Sequence, residues 1–208
     1  MTTAPQSATL LDALAPANDA SYSNAIRAAW VLFAAALTAA AAQISVPLPF
    51  TQVPFTFQPM VVLLGGLALG PRLGMAAQVL YLLAGVTGLP VFAASATLPP
   101  GALRLLGPTG GYLMAYPFAA LLVGYLAQRG FARRYLTSVL AMAAGLVVVY
   151  AVGALWLGSF AQIAGRSVAI GVREAVMTSV IPFAAADIAK LLVAASIVPT
   201  LFKALDRQ

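Results

Sequence analysis

Two residues of opposite charge interrupt an apolar stretch near the C-terminus, Asp187 and Lys190 within Ile181-Pro182-Phe183-Ala184-Ala185-Ala186-Asp187-Ile188-Ala189-Lys190-Leu191-Leu192-Val193. At 3.6 residues per turn a three-residue spacing puts both side chains on one helix face. A charge at bilayer depth costs roughly 2.5–3.5 kcal/mol on insertion scales, so an opposite pair at such a position marks a functional site by default. A fixed carboxylate accepts N–H bonds and a neighbouring ammonium donates to an oxygen. Together they complement a neutral cyclic urea or amide. Phe183, Asp187, Lys190 and Ala194 share the stripe, and Ala184, Ala185, Ala186 and Ala189 leave space beside it. The same spacing also reads as a self-satisfied ion pair that locks helices together, although buried pairs are poor stabilisers.

A second candidate is Gly107-Pro108-Thr109-Gly110-Gly111-Tyr112, a turn followed by a helix start. Thr109 suits an N-cap, and Gly110 and Gly111 leave backbone N–H groups accessible, which would attract an anionic group. It reads equally as an ordinary capped helix. Tyr112 offers a flat wall with a hydroxyl; Arg104 is either a nearby cation or an interfacial side chain reaching for water. Gln58 supplies a donor and an acceptor to a ligand, or else caps the backbone of the proline-rich segment before it.

Little other chemistry is available. The chain has no cysteine and no histidine, which removes disulfides, thiolate metal sites, imidazole acid–base catalysis and Ser-His triads. Its five acids are Asp12, Asp19, Glu174, Asp187 and Asp206, and Asp187 is the one set well inside an apolar run. No metal site and no enzyme activity are expected, and an intramembrane hydrolase is argued against by the missing His, Cys and second buried carboxylate. No Walker A pattern is present, so no ATP site and no other cofactor is expected.

These residues must be positioned by membrane helices. Of the 208 residues 62% are hydrophobic and 8% charged, against roughly a quarter charged in soluble domains. At about 20 apolar residues per span, the length allows roughly five to seven helices in one domain. The expected spans are 25–44, 57–69, 73–86, one from about Tyr112 to Gln128, 135–157 and 176–202. Between the first two, residues 46–59 carry Pro47, Pro49, Pro54 and Pro59. These preclude a regular helix and predict an ordered apolar lid at the membrane surface. Further long connections are expected over 88–108 and 158–174.

With the N-terminus inside, the inner basic residues are Arg27, Arg72, Arg129, Arg133, Arg134, Lys203 and Arg207, against Arg104, Arg166 and Arg173 outside. The positive-inside rule thus selects an all-α integral membrane protein of six transmembrane helices with both termini cytoplasmic. Its net charge of +6 reports topology rather than nucleic-acid binding. Residues 1–24 are expected to be a disordered cytoplasmic tail, without the basic n-region of a signal peptide, and 25–208 the transmembrane substrate-binding domain. On the first span Ala28, Ala35, Ala39 and Ala42 form a small-residue stripe fit for close approach of a partner helix, unless alanine is simply abundant there.

Four segments in this order resemble the BioY family, the biotin-specific S components of energy-coupling-factor (ECF) vitamin transporters: Pro54-Phe55-Thr56-Phe57-Gln58, Leu69-Gly70-Pro71-Arg72-Leu73-Gly74, Gly107-Pro108-Thr109-Gly110-Gly111-Tyr112-Leu113, and Asp187-x-x-Lys190. The resemblance covers roughly residues 25 to 203. It implies the six-helix S-component fold in a prokaryotic plasma membrane, with biotin captured at the outer end and delivered by reorientation with an energising module. It implies that Asp187 and Lys190 contact the ureido ring, that the valerate is held near Thr109, Gly110 and Gly111 with Arg104, and that Phe92 and Tyr112 wall the thioether ring. The implied partners are a transmembrane coupling subunit (T component), which meets the small-residue face of the first span, and two ATPase subunits. Two stretches depart from the family's pattern: Ala93-Ala94-Ser95-Ala96-Thr97-Leu98-Pro99-Pro100-Gly101 replaces a longer glycine-rich run, and Ala185-Ala186 stands where Pro-Gly is common. An S component for another vitamin and a solitary proton-coupled transporter using Asp187 are the alternatives within transport.

Overall fold

The computed structural model describes residues 9–14, 20–49, 51, 53–94, 101–163 and 168–205. Residues 1–8 and 15–19 of the expected tail, the loop segment 95–100, Arg166 and Arg207 lie outside the described residues. The described chain is all-helical apart from one two-stranded ribbon: α1 (Leu10–Leu14), α2 (Ala20–Gln43), β1 (Ser45–Val46), β2 (Phe55–Thr56), α3 (Gln58–Val86), α4 (Leu103–Leu106), α5 (Gly110–Gln128), a 3₁₀ turn (Phe131–Arg133), α6 (Tyr135–Ile163), α7 (Val168–Ser179), α8 (Ile181–Ala194) and α9 (Ile197–Leu205). Among the described residues five stretches are long and apolar enough to cross a membrane: Asn24–Gln43, Gln58–Val86, Gly110–Gln128, Tyr135–Ser159 and Ile181–Leu205. In hydrocarbon a helix satisfies every backbone polar group within itself, which is why these apolar runs take that form.

The stretch Gln58–Val86 is not one straight rod. Gly70 has φ 80° and ψ −178° and precedes Pro71. Gln58 Nε2 lies 2.7 Å from the Tyr81 hydroxyl, 23 residues away, whereas a straight helix would separate them by about 34 Å. A Cβ on Gly74 would come within 2.9 Å of the Gly66 Cα. The two halves therefore run side by side as a hairpin folded at Gly70. This φ, ψ pair lies in a region essentially reserved for glycine, where another residue costs about 1–3 kcal/mol. Gly70→Ala is accordingly expected to destabilise the fold by at least that much, read as a lowered Tm in detergent; an unchanged Tm would refute the assignment of strain to this turn.

Around the hairpin, α5 is the central rod. Ala115, Ala119, Ala120 and Val123 are fully buried in the main core with Val62, Leu63, Leu67, Met142 and Val149. Close approach depends on small residues, as expected where packing rather than solvent exclusion holds helices together. A Cβ on Gly124 would stand 2.3 Å from the Gly70 carbonyl carbon and 2.4 Å from the Pro71 nitrogen.

Three expectations need correcting. The segment 1–24 is not unstructured throughout: α1 buries Leu10 and Leu11 at 6% and 4% exposure, Leu11 among residues of α2 and α3, and α2 already begins at Ala20. The small-residue stripe of the first span is mostly occupied within the chain. Ala35 and Ala42 are buried and Ala39 half-buried, leaving Ala28 exposed. The stripe lets α2 lie close on α3, and larger side chains such as Leu32, Phe33 and Leu37 form the exposed side of α2. Finally, the connection 158–174 is largely helical, because α6 runs on to Ile163 and α7 starts at Val168. A break at Val180 follows, with Pro182 in the first turn of α8, where its missing N–H costs nothing.

Candidate functional site

A cavity of about 500 Å³ opens at the end of the bundle opposite the Gly70 turn. Its floor is α3, α5 and α6, its sides are α4 and α8, and residues of the proline-rich segment close over it. That segment is held in shape by antiparallel pairing of Ser45 with Thr56 and Val46 with Phe55. The walls are mainly apolar and aromatic, with a few convergent polar groups, the usual composition of a small-molecule site.

The polar centre is Asp187, 8% exposed and facing the cavity from α8. Its Oδ1 accepts from Lys190 Nζ at 2.8 Å, and its Oδ2 accepts from the Tyr150 hydroxyl on α6 at 2.5 Å. Lys190 also donates to the Thr56 carbonyl at 2.8 Å, and its Nζ lies 3.4 Å from the Phe55 ring centroid and 5.0 Å from that of Phe57. Phe55 in turn stacks on Phe183 with centroids 5.9 Å apart. Both ends of the i, i+3 pair are therefore satisfied. Asp187 lines the cavity, whereas Lys190 stands behind it and fastens the β2 edge of the lid to α8.

Several of the other sequence candidates converge here. Gln58, Phe92, Arg104, Thr109 and Tyr112 all line the cavity. Gln58 gives its amide to Tyr81, and Phe92 packs edge-on against the same ring with centroids 5.4 Å apart. Tyr112 shares a 2.7 Å hydrogen bond with Ser179 at the end of α7. Arg104 is buried at 8% exposure, so it does not reach out to water as an interfacial arginine would. Burial pushes its pKa below the ordinary arginine value, with the electrostatic influence of Tyr81 acting in the opposite sense. A guanidinium does not deprotonate in proteins, and a desolvated cation gains from an anion brought beside it.

Gly110 and Gly111 do not line the cavity. The Gly110 N–H already donates to the Gly107 carbonyl at 3.0 Å, and a Cβ there would fall on the Leu105 carbonyl oxygen. A Cβ on Gly111 would stand 2.2 Å from the Trp156 Cβ. Thr109 occupies the N-cap position without a side-chain cap bond. Instead of an open anion cradle, the two glycines provide close packing of α5 against α4 and α6. Tyr116, Tyr150 and Ser179 are cavity groups that sequence reading missed. Tyr150 had a usable signal: it is a lone hydroxyl at the end of the apolar run Leu146-Val147-Val148-Val149, and a buried tyrosine hydroxyl normally finds a partner.

Comparison with known proteins points in one direction. The BioY family profile matches residues 15–207. A protein of Pyrococcus horikoshii named "Probable biotin transporter BioY" is 41% identical over 155 residues, 74% of this chain and 83% of the relative. The biotin transporter BioY of Thermotoga maritima is 39% identical over 164 residues, 78% of this chain and 87% of the relative. The crystal structure of the S-component for biotin from an ECF-type ABC transporter superposes with a TM-score of 0.74 at 25% identity, covering 89% of this chain and 95% of the other.

Proposed function

The chain belongs to the BioY family, and from that premise we propose that it is the biotin-binding S component of an ECF-type uptake transporter. It captures the vitamin and hands it on; it catalyses no covalent reaction. One observation carries the reading to specific residues: a carboxylate, Asp187, set into the wall of an otherwise largely apolar cavity and braced from two sides. Lone pairs left on a braced carboxylate suit a ureido N–H, and the Lys190 ammonium three residues on suits the ureido oxygen once the lid rearranges. Arg104, buried in the cavity wall with no carboxylate beside it among the described residues, suits the anionic valerate. Phe92 and Tyr112 supply flat apolar surface for the ring system.

The six-helix count is supported by the hairpin at Gly70, which turns one apolar stretch into two arms. Arg72, Arg129, Arg133, Arg134 and Lys203 belong to the turns and helix ends at the Gly70 side, so the positive-inside rule favours that side as cytoplasmic. The cavity then faces outward across a prokaryotic plasma membrane, and both termini lie inside. Without a nucleotide-binding motif of its own, the chain draws on a T component and two ATPase subunits. Lipid is its solvent, biotin its cargo and nucleic acid no partner.

The test is equilibrium binding of labelled biotin to the purified, detergent-solubilised chain. Saturable binding displaced by biotin and not by thiamine or riboflavin is the expected result. A monodisperse, folded chain that does not bind biotin would sink the assignment. Uptake by the chain alone that collapses with the proton gradient would instead favour a solitary proton-coupled transporter.

A further inference from the structure

Asp187 is held by two residues, and the sequence pattern accounts for one of them. Tyr150 stands on α6 and donates to Oδ2 at 2.5 Å across the helix interface, while Lys190 holds Oδ1 from within α8. Tyr150 also lines the cavity, so its hydroxyl lies at the boundary between ligand space and the carboxylate. A carboxylate rotates about its terminal torsion in a broad, two-fold well, so one fixed oxygen leaves its plane loosely set. Two donors on different helices fix that plane. They also leave one acceptor direction free on each oxygen, since a carboxylate offers about four lone-pair sites.

Resting on the biotin reading above, we propose that Tyr150 is a positioning residue of the binding site: it orients the Asp187 carboxylate so that the unoccupied lone pairs face the ligand's N–H. The groups around this carboxylate are consistent with that role. Lys190 and the Phe55 face lie on the lid side, Tyr150 on the α6 side, and Tyr116, buried on α5, lines the same cavity. Tyr112, another tyrosine lining the cavity, has its hydroxyl committed to Ser179 and makes a built-in comparison.

The experiment pairs biotin affinity with the infrared carboxylate band of Asp187, isolated by subtracting the spectrum of Asp187→Asn from that of each Asp187-containing protein. Tyr150→Phe removes one oxygen and keeps the ring. It is expected to weaken biotin binding about tenfold, the loss typical of a hydrogen bond to a charged group, and to shift the carboxylate band in the ligand-free protein. Tyr112→Phe is expected to leave that band in place. Weakened binding with an unmoved band would assign Tyr150 a merely structural part, and a shifted band with affinity within threefold of wild type would show that orientation does not matter; either overturns the proposal. Absence of biotin binding by the wild type would instead remove the reading on which it rests, while the band shift would still report the Tyr150–Asp187 pair.

Discussion

Asp187→Asn is expected to weaken biotin binding at least about a hundredfold. The substitution leaves the shape of the side chain and removes its charge, so the desolvated Lys190 ammonium loses its counter-ion and is left with neutral acceptors and the aromatic faces of Phe55 and Phe57. Breaking a buried pair by removing one partner costs about 3–5 kcal/mol. Each 1.4 kcal/mol is about a factor of ten in affinity, so a share of that cost felt in the bound state suffices for the predicted loss. The asparagine amide also presents a donor where a ureido N–H needs an acceptor. Titration calorimetry on wild type and variant decides the matter. A variant that binds within threefold of wild type would return the pair to a purely structural role.

The second large effect concerns folding. Gly124→Val is expected to cost at least about 3 kcal/mol, the upper part of the range for overpacking a tight core. The obstacle is backbone, since even a single Cβ at Gly124 lies 2.3 Å from the Gly70 carbonyl carbon and 2.6 Å from the Pro71 Cα. A side chain could swing aside, but a turn with a fixed proline cannot. The expected readout is a collapsed Tm in detergent, and a variant that melts like wild type would show that α5 and the hairpin turn separate freely. The site lies at the far end of α5 from this contact, so a surviving fraction of folded protein should bind biotin normally.

The sequence carried much of the helical architecture, because helices in lipid are written as long apolar runs bounded by Gly, Pro and basic residues. The turn at Gly70-Pro71 and the start at Thr109-Gly110 were legible for that reason. Asp187 and Lys190 were legible as a pair, since an i, i+3 spacing is local information. What the spacing could not say was that Lys190 turns toward the Thr56 carbonyl and Phe55, which come from a strand 134 residues earlier. The same limit hid Tyr150, whose partner is on another helix. Gly110 and Gly111 were read as leaving backbone N–H groups open to an anion, whereas what lies against them is Leu105 and Trp156. The alanine stripe of α2 failed similarly: small residues announce a tight contact without saying whether the neighbour is the same chain. The N-terminal segment looked polar by composition, yet two adjacent leucines were enough to dock Leu10 and Leu11.

The folded hairpin also reaches into the surrounding lipid. Its second arm, from Pro71 to Val86, exposes Arg72, Ala76, Val79, Leu83 and Val86 along one edge. At 1.5 Å per residue an arm of that length spans about 24 Å, short of the roughly 30 Å of hydrocarbon in a typical bilayer. Lipid tails must shorten against this edge, while the longer α6 on the same bundle imposes no such demand. The molecule thus carries an uneven hydrophobic length around its circumference, shorter along this hairpin arm than along α6.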